Sequence, residues 1–469
     1  MRSNRPASGT GRLLPGIICG IRPGIIPCIM PGILLGLLVL APTLTGGAAA
    51  RDMTLDDCVS TALGANRDIV DARENLDQAR SGIVEARSGY LPNLSLSGSY
   101  NFMEKAQTVE FPLPGGGFEQ TELDFTRDYG LQLSLSQPLY TGGRLSGSYR
   151  ISKISYDIAQ ADLERLEADV ALKVIQAFYS YILAGESVAV AEEAIRTAEE
   201  FLRVVQARYA AGEASSFEVM RAEVEVSNLE PALISARNAV ALADLALKNA
   251  MGVRLDDQLD FVGAFEENLA AAELGEAIAR GLENRPELKM MRRSAEAADQ
   301  SVRLAKAGRL PTFAISATYD MMSNDISLAS DKWEKTYAGY LVMSLPVFDG
   351  LKTKSQIARS LSQARQARIS IASLEDAVEL EIRSSLLELE AARERLKSQG
   401  KGVEVAQEGL RIANDRYLQG LATNLDVMDA QLALTQARNL RLQALHDANL
   451  ASATLERAMG ILAGKYRVK

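Results

Sequence analysis

Arg208-Tyr209-Ala210-Ala211-Gly212 recurs as Arg416-Tyr417-Leu418-Gln419-Gly420, and this spacing of 208 residues organises the whole chain. At the same offset Val219-Met220 returns as Val427-Met428, and Met251-Gly252 as Met459-Gly460. Pro138, Tyr140 and Gly142 map onto Pro346, Phe348 and Gly350, so about 115 residues align without a gap. Upstream the offset becomes 219: Leu91-Pro92 matches Leu310-Pro311, and Leu55 matches Leu274. The 11 extra residues of the first copy fall between Pro92 and Pro138, and the segment around Pro112 to Gly117 reads as the loop that holds them.

Each copy has the same internal order. A helix of about 20 residues ends at a Leu-Pro pair, because proline pushes the residue before it toward extended geometry. Alternating segments follow. Leu94, Leu96, Gly98, Tyr100 and Phe102 share one face, with Ser95, Ser97, Ser99 and Asn101 on the other. The returning strand sets Leu131, Leu133 and Leu135 against Gln132, Ser134 and Ser136. In the second copy Phe313, Ile315, Tyr319 and Met321 oppose Ser316, Thr318 and Asp320, and the return runs from Tyr337 to Leu345. Strands of about 9–11 residues suit a tilted membrane crossing. Residues 90–140 and 311–348 hold 14 of the 26 aromatics, which fits interfacial girdles better than a soluble hairpin.

The connections between these hairpins are helical. From Val170 a seam steps alternately by four and three through Val174, Ala177, Tyr181, Ala184, Val188, Ala191, Ile195, Ala198, Leu202 and Val205 to Tyr209, every position apolar or aromatic. Ten of the twelve equivalents from Val378 to Tyr417 also fit, Ser385 and Gln399 being the exceptions. A sustained 3.5-residue repeat specifies coiled-coil packing. A helix over 143–211 would span roughly 100 Å. Gly212 and Gly420 suit left-handed helix ends. Return helices are expected over 216–250 and 424–459, with 351–419 as the second long arm. Each short helix before a hairpin is placed to stack on the shorter arm. The stretch 253–285 and the last ten residues read as a side layer. The repeats divide the chain at 51–263 and 264–469, with hairpins over 93–139 and 312–347.

The first fifty residues stand apart. They carry Arg2, Arg5, Arg12 and Arg22, no acid, a Pro/Gly-interrupted apolar stretch ending at Leu40, and Ala48-Ala49-Ala50 as a cleavage site. This is the pattern of a secretory signal peptide. Met30 is an alternative start, but it leaves no basic flank before the apolar stretch. Cleavage shifts the formal charge from −9 to −13, which disfavours nucleic acid as a partner. It removes Cys19 and Cys28 and leaves Cys58 alone, so no internal disulfide is expected. No later run of about 18 apolar residues is evident, so no transmembrane helix is expected.

Four strands per chain leave two open edges, which lipid does not tolerate. The chain must therefore oligomerise: two copies give eight strands and three give twelve, and these arguments do not choose between them.

At this point the residues resemble a known family, the TolC-type outer-membrane efflux proteins. The resemblance covers residues 51–460. It is carried most specifically by Arg208-Tyr209-x-x-Gly212 through Glu218-Val219-Met220-x-Ala222, and by Arg416-Tyr417-x-x-Gly420 through Asp426-Val427-Met428-Asp429-Ala430. It implies a mainly helical protein with a membrane β-domain. Three chains would share a 12-stranded transmembrane β-barrel, continuous with a 12-helix α-barrel across the periplasm, with a small equatorial layer. It further implies an exit duct of a tripartite efflux pump or a type I secretion system. The partners would be a periplasmic adaptor and an inner-membrane transporter of RND, ABC or MFS type. By the same resemblance Asp426, Asp429 and Tyr417 form the periplasmic gate. Arg208, Tyr209, Gly212, Glu218, Val219, Arg416, Gly420 and Val427 form the adaptor-docking tip. Ala422 stands where the best-known members have an arginine. The competing reading of Asp426 and Asp429 is that they are acids of a first helical turn, favoured by the helix dipole.

The competing reading of the whole chain is a periplasmic coiled-coil scaffold. Catalysis finds no support: His446 is the only histidine and lies mid-helix, and no metal, nucleotide or nucleophile motif occurs. No cofactor is expected. The paired methionines 290–291 and 321–322 read as packing or lipid contacts rather than metal ligands.

Overall fold

The computed structural model describes residues 51–102, 107–112, 114–123, 127–267, 273–324 and 332–466. The expected signal peptide, 1–50, lies outside these residues. The described residues begin with β1 (Arg51–Met53), α1 (Leu55–Ala65) and α2 (Arg67–Ser88), followed by strands β2 (Asn93–Phe102), β3 (Gln107–Pro112), β4 (Phe118–Leu123) and β5 (Arg127–Tyr140). The long helix α3 (Arg144–Ala210) and the return helix α4 (Ser216–Met251) complete the first copy. After β6 (Leu259–Phe261) the second copy runs α5 (Leu274–Asn284), α6 (Pro286–Ala307), β7 (Thr312–Ser323), β8 (Glu334–Ser344), α7 (Lys352–Leu418), α8 (Asn424–Ala458) and α9 (Leu462–Tyr466).

Both long helices have 67 residues, which at 1.5 Å per residue is about 100 Å. The heptad seam explains their packing. In α7 all twelve seam positions are buried or half-buried. In α3 eleven are, and Tyr209 is the exception. A second row on α3, Ala171, Ile175, Phe178 and Ile182, is also buried and was not part of the seam. It faces a core built with α1, α2, α4, β6 and α9 that includes Cys58, Val59, Ile69, Leu247, Met251 and Phe261. The second copy has an equivalent core of Ala277, Leu288, Val378, Ile382, Leu455 and Met459. The side layer expected from 253–285 is this girdle. It also uses β1, which pairs in parallel with β6, a strand not foreseen in the sequence. Burial pushes the Cys58 thiol up to about 12, so it behaves as a small apolar core residue.

The apolar stretch of α3 needs a correction. One window of this helix is long and apolar enough to cross a membrane by length and composition, contrary to the sequence reading. The same helix delivers Ile175, Phe178, Tyr179 and Ile182 to the girdle core, so its apolarity serves packing.

Each short helix abuts the return helix of its own copy. Asn66, the N-cap of α2, donates from Nδ2 to the Ala250 carbonyl at 2.9 Å. Arg285, the N-cap of α6, donates from Nε to the Ala458 carbonyl at 2.7 Å. Gly252 and Gly460 sit at these junctions with φ of 76° and 70°. A Cβ on Gly252 would lie 2.7 Å from Asn66 Cα, and one on Gly460 2.9 Å from the Arg285 nitrogen. The recurring Met-Gly pair is thus a joint that admits only glycine. Around the second joint Arg457 of α8 reaches three helices. It contacts Asp169 on α3 at 2.9 Å, Glu381 on α7 at 2.9 Å and Glu287 on α6 at 3.4 Å. Arg285 adds a contact to Glu381 at 2.6 Å.

The strands form one antiparallel sheet in the order β2-β5-β7-β8. Its register aligns the two sequence alternations across all four strands. Leu96, Leu133, Tyr319 and Tyr337 stand side by side on one face, as do Leu94, Leu135, Ala317 and Gly339. On the other face Ser95 and Ser134 share a hydrogen bond of 2.7 Å, and Gln132 donates to Asp320 at 2.6 Å. β5, at 14 residues, exceeds the expected strand length. The segment read as a loop is the turn of an antiparallel ribbon, β3 with β4, at Gly115, Gly116 and Gly117, all with positive φ; the flanking strands were not foreseen in the sequence. Alternation is hard to see there because proline and three glycines dominate the composition.

Candidate functional site

The two helical hairpins end in turns of the same construction. Glu213 N–H donates to the Arg208 carbonyl, and Leu421 N–H to the Arg416 carbonyl, both at 2.8 Å. Gly212 (φ 78°) and Gly420 (φ 73°) supply the left-handed residue that this closure requires. Each return helix then opens with a capping box, Ser215 with Glu218 and Thr423 with Asp426. These cap pairs are also 208 residues apart.

Between the turns, the first copy grips the second. Tyr417 is 3% exposed. Its ring meets Phe201 edge-on at 5.1 Å, and the Arg208 guanidinium lies over it at 4.9 Å. Arg208 also donates to the Tyr417 carbonyl. The Tyr417 hydroxyl donates to Glu218 Oε2 at 3.2 Å. Burial, reinforced by the Glu218 charge, raises the phenol pKa above its ordinary value, so the hydroxyl remains a donor at neutral pH. Asn424 donates to the Glu218 carbonyl at 3.0 Å. Beneath them Val205, Ala222, Leu410, Val427 and Leu434 complete a small core.

The gate and tip residues expected from the sequence therefore separate. Tyr417, Arg208 and Glu218 converge. Val427 is fully buried and Val219 half-buried, so Val427 shapes the tip from within rather than lining its surface. Gly212 and Gly420 shape the turns. Tyr209 is 51% exposed, and Arg416, Asp426 and Asp429 are also exposed. Hydrogen bonds from the Thr423 backbone and hydroxyl hold the Asp426 carboxyl below the usual carboxylate range. That engagement is the helix-start role weighed against a gate. Phe201 and Asn424 were missed. At the 208 offset they correspond to Gly409 and Ser216, so the repeat gives no signal for them. A cavity lined by Arg208, Phe217, Glu218, Arg221, Tyr417 and Asn424 lies between the two turns. Among the described residues no group of three or more His, Cys, Asp or Glu is placed to hold a metal.

A sequence model of the outer membrane efflux protein family matches residues 58–253 and 277–461, one match in each copy. Outer membrane efflux protein BepC of Brucella suis biovar 1 is 25% identical over 424 residues, covering 90% of this chain and 89% of that protein. Cobalt-zinc-cadmium resistance protein CzcC of Cupriavidus metallidurans is 24% identical over 415 residues, covering 88% and 91%. Among solved structures CusC superposes with a TM-score of 0.72 at 17% identity, over 87% of this chain and 92% of that one. VceC of Vibrio cholerae superposes with 0.70 at 20% identity, over 87% and 96%. The chain belongs to the outer membrane efflux protein family, and the outer membrane is its place.

Proposed function

We propose that three copies of this chain form a passive exit duct across the outer membrane and periplasm. The observation that carries this reading is the four-stranded sheet. One face is a continuous apolar band with no cover in the single chain. The other carries Ser, Gln, Thr and Asp on β2, β5 and β7, with side-chain hydrogen bonds between Ser95 and Ser134 and from Gln132 to Asp320, and continues to Ala338 and Tyr340 on β8. A lipid-facing exterior and a wet lumen require those two faces. Its edge strands β2 and β8 are open, and only pairing with neighbouring copies satisfies their backbone groups in lipid. Three copies give twelve strands, enough for an aqueous lumen. The helices of about 100 Å extend the lumen as a tunnel of twelve. The chain offers no nucleotide motif, so the energy for transport comes from an inner-membrane transporter of RND, ABC or MFS type through a periplasmic adaptor.

The adaptor docks at the turns, where Tyr209, Phe217 and Leu425 are exposed. Asp426 and Asp429, repeated by three-fold symmetry, line the narrow end and favour cations. Delivery to a type I secretion system is the alternative use of the same duct.

The double substitution Asp426→Ala plus Asp429→Ala tests the gate. Cation selectivity and block by divalent ions should fall in single-channel recordings. Unchanged selectivity would leave both acids with a helix-start role alone. A protein that stays in solution without detergent would favour the scaffold reading over the duct.

A further inference from the structure

The four-stranded sheet sorts its charges by face. All three acids of these strands, Asp128, Asp320 and Glu334, stand on the polar face, opposite Asn101, Gln132 and Met322. Both cations follow the other alternation. Lys335 is level with Met321 and Leu131 on the apolar face. Arg127 lies two residues beyond Tyr129 along β5, opposite Phe102. Both belong to the end of the sheet away from the helices. At the helix end the apolar face is uncharged, with Leu94 beside Leu135 and Phe313 beside Met343.

Lys335 is exposed and has no ion-pair partner among the described residues. One row further out, the Tyr100 ring stacks on Tyr129 with centroids 4.9 Å apart. One row further in, Tyr337 is 85% exposed. Aromatic belts of this kind mark the headgroup level of a bilayer. A lysine just inside the belt keeps its methylene stem in hydrocarbon and lifts its ammonium to the headgroups. With no carboxylate in these strands on that face, the counter-charge comes from the lipid. A phosphate suits both residue types, as a point-charge partner for lysine and a two-pronged one for arginine.

Resting on the outer-membrane duct proposed above, we propose that this rim binds the phosphates of a phosphorylated glycolipid in the outer leaflet. Lys335 and Arg127 supply the cationic contacts, and the Tyr100–Tyr129 stack lies at the boundary between sugar and acyl chains. The uncharged helix end restricts the site to the outer leaflet. Asp128, Asp320 and Glu334 repel the same headgroup, which keeps it on the exterior and out of the lumen.

The test reads glycolipid retention and melting of the full, detergent-extracted oligomer. Lys335→Met with Arg127→Met removes both cations and leaves a face that lipid accepts at least as well, so assembly should persist. Lipopolysaccharide carried through purification should fall about tenfold in this variant, the equivalent of one lost charge-assisted contact. Lys335→Arg should retain it. Lys354→Met, which removes an exposed cation at the helix end, should change nothing. Added back to delipidated wild type, lipopolysaccharide should raise the Tm more than the same lipid stripped of phosphate, and inorganic phosphate should not raise it. Equal retention by wild type and the double variant, or an equal Tm rise with the stripped lipid, overturns the proposal. The same rise with inorganic phosphate overturns its assignment to lipid. Conductance in a phosphatidylcholine bilayer in any of those cases leaves the duct standing. Wild-type protein that stays in solution without detergent contradicts both.

Discussion

Replacing Arg457 by methionine keeps much of the side-chain volume and removes the one charge that contacts Asp169, Glu287 and Glu381 together. Three carboxylates from α3, α6 and α7 then face one another. Deleting one partner of a fully buried ion pair costs about 3–5 kcal/mol. Two facts reduce that here. The Arg457 side chain is 23% exposed, and Asp169 and Glu381 keep Arg165 and Arg285 as second partners. A cost of about 2–3 kcal/mol remains. With an unfolding entropy of about 2.1 cal/mol/K per residue over roughly 400 residues, that corresponds to a Tm lower by about 3 °C. The assay is a thermal melt of wild type and Arg457→Met at equal protomer concentration. Acid provides the internal control. Burial alone would raise the Glu381 pKa, but Arg285 and Arg457 outweigh it and hold the carboxyl below its ordinary value. Its contribution is therefore present above the unfolded pKa and is lost as the pH falls through the folded one. The wild-type advantage should shrink on acidification through that window. An equal deficit at neutral and acid pH would refute the electrostatic account and leave only packing.

Four further outcomes follow from the geometry. Tyr417→Phe keeps the ring on Phe201 but loses the Glu218 link, so stability should fall by about 0.5–1.5 kcal/mol in urea melts. The raised Tyr417 pKa gives stability present below the unfolded tyrosine value and lost as the pH rises past it, a loss that Tyr417→Phe should abolish in alkaline melts. Gly252→Ala and Gly460→Ala should each cost more than about 2 kcal/mol, because the added Cβ meets backbone; Gly212→Ala, with open space around it, should cost only about 1 kcal/mol of left-handed strain. Leu351 begins α7 at φ 70° where the first copy has Gly143, so Leu351→Gly should stabilise by about 1 kcal/mol in the same melts.

What the sequence disclosed depended on repetition and period. The 208-residue offset located the turns, and every seam position except Tyr209 is covered. Strand alternation gave the two faces of the sheet because their register never slips between β2 and β8, apart from the bulge beside Leu139. Local composition marked the turn at Pro112–Gly117 but not the paired ribbon on either side of it. β1 has only three residues and is defined by its partner β6, so no periodicity could show it. Phe201 and Asn424 escaped for a different reason. They make the in-chain grip specific by breaking the repeat, so likeness between the copies does not reveal them. Val427 adjoins the turn, yet its helical phase turns it into the core with Val205, a placement that proximity to the turn does not reveal.

The central claim is that a chain with two open sheet edges closes with its neighbours into a conducting duct. Purified, detergent-extracted oligomer added to a planar lipid bilayer tests it most directly. Discrete, long-lived conductance steps are predicted, one for each inserted oligomer. A correctly assembled oligomer that enters the bilayer and passes no current would contradict the account.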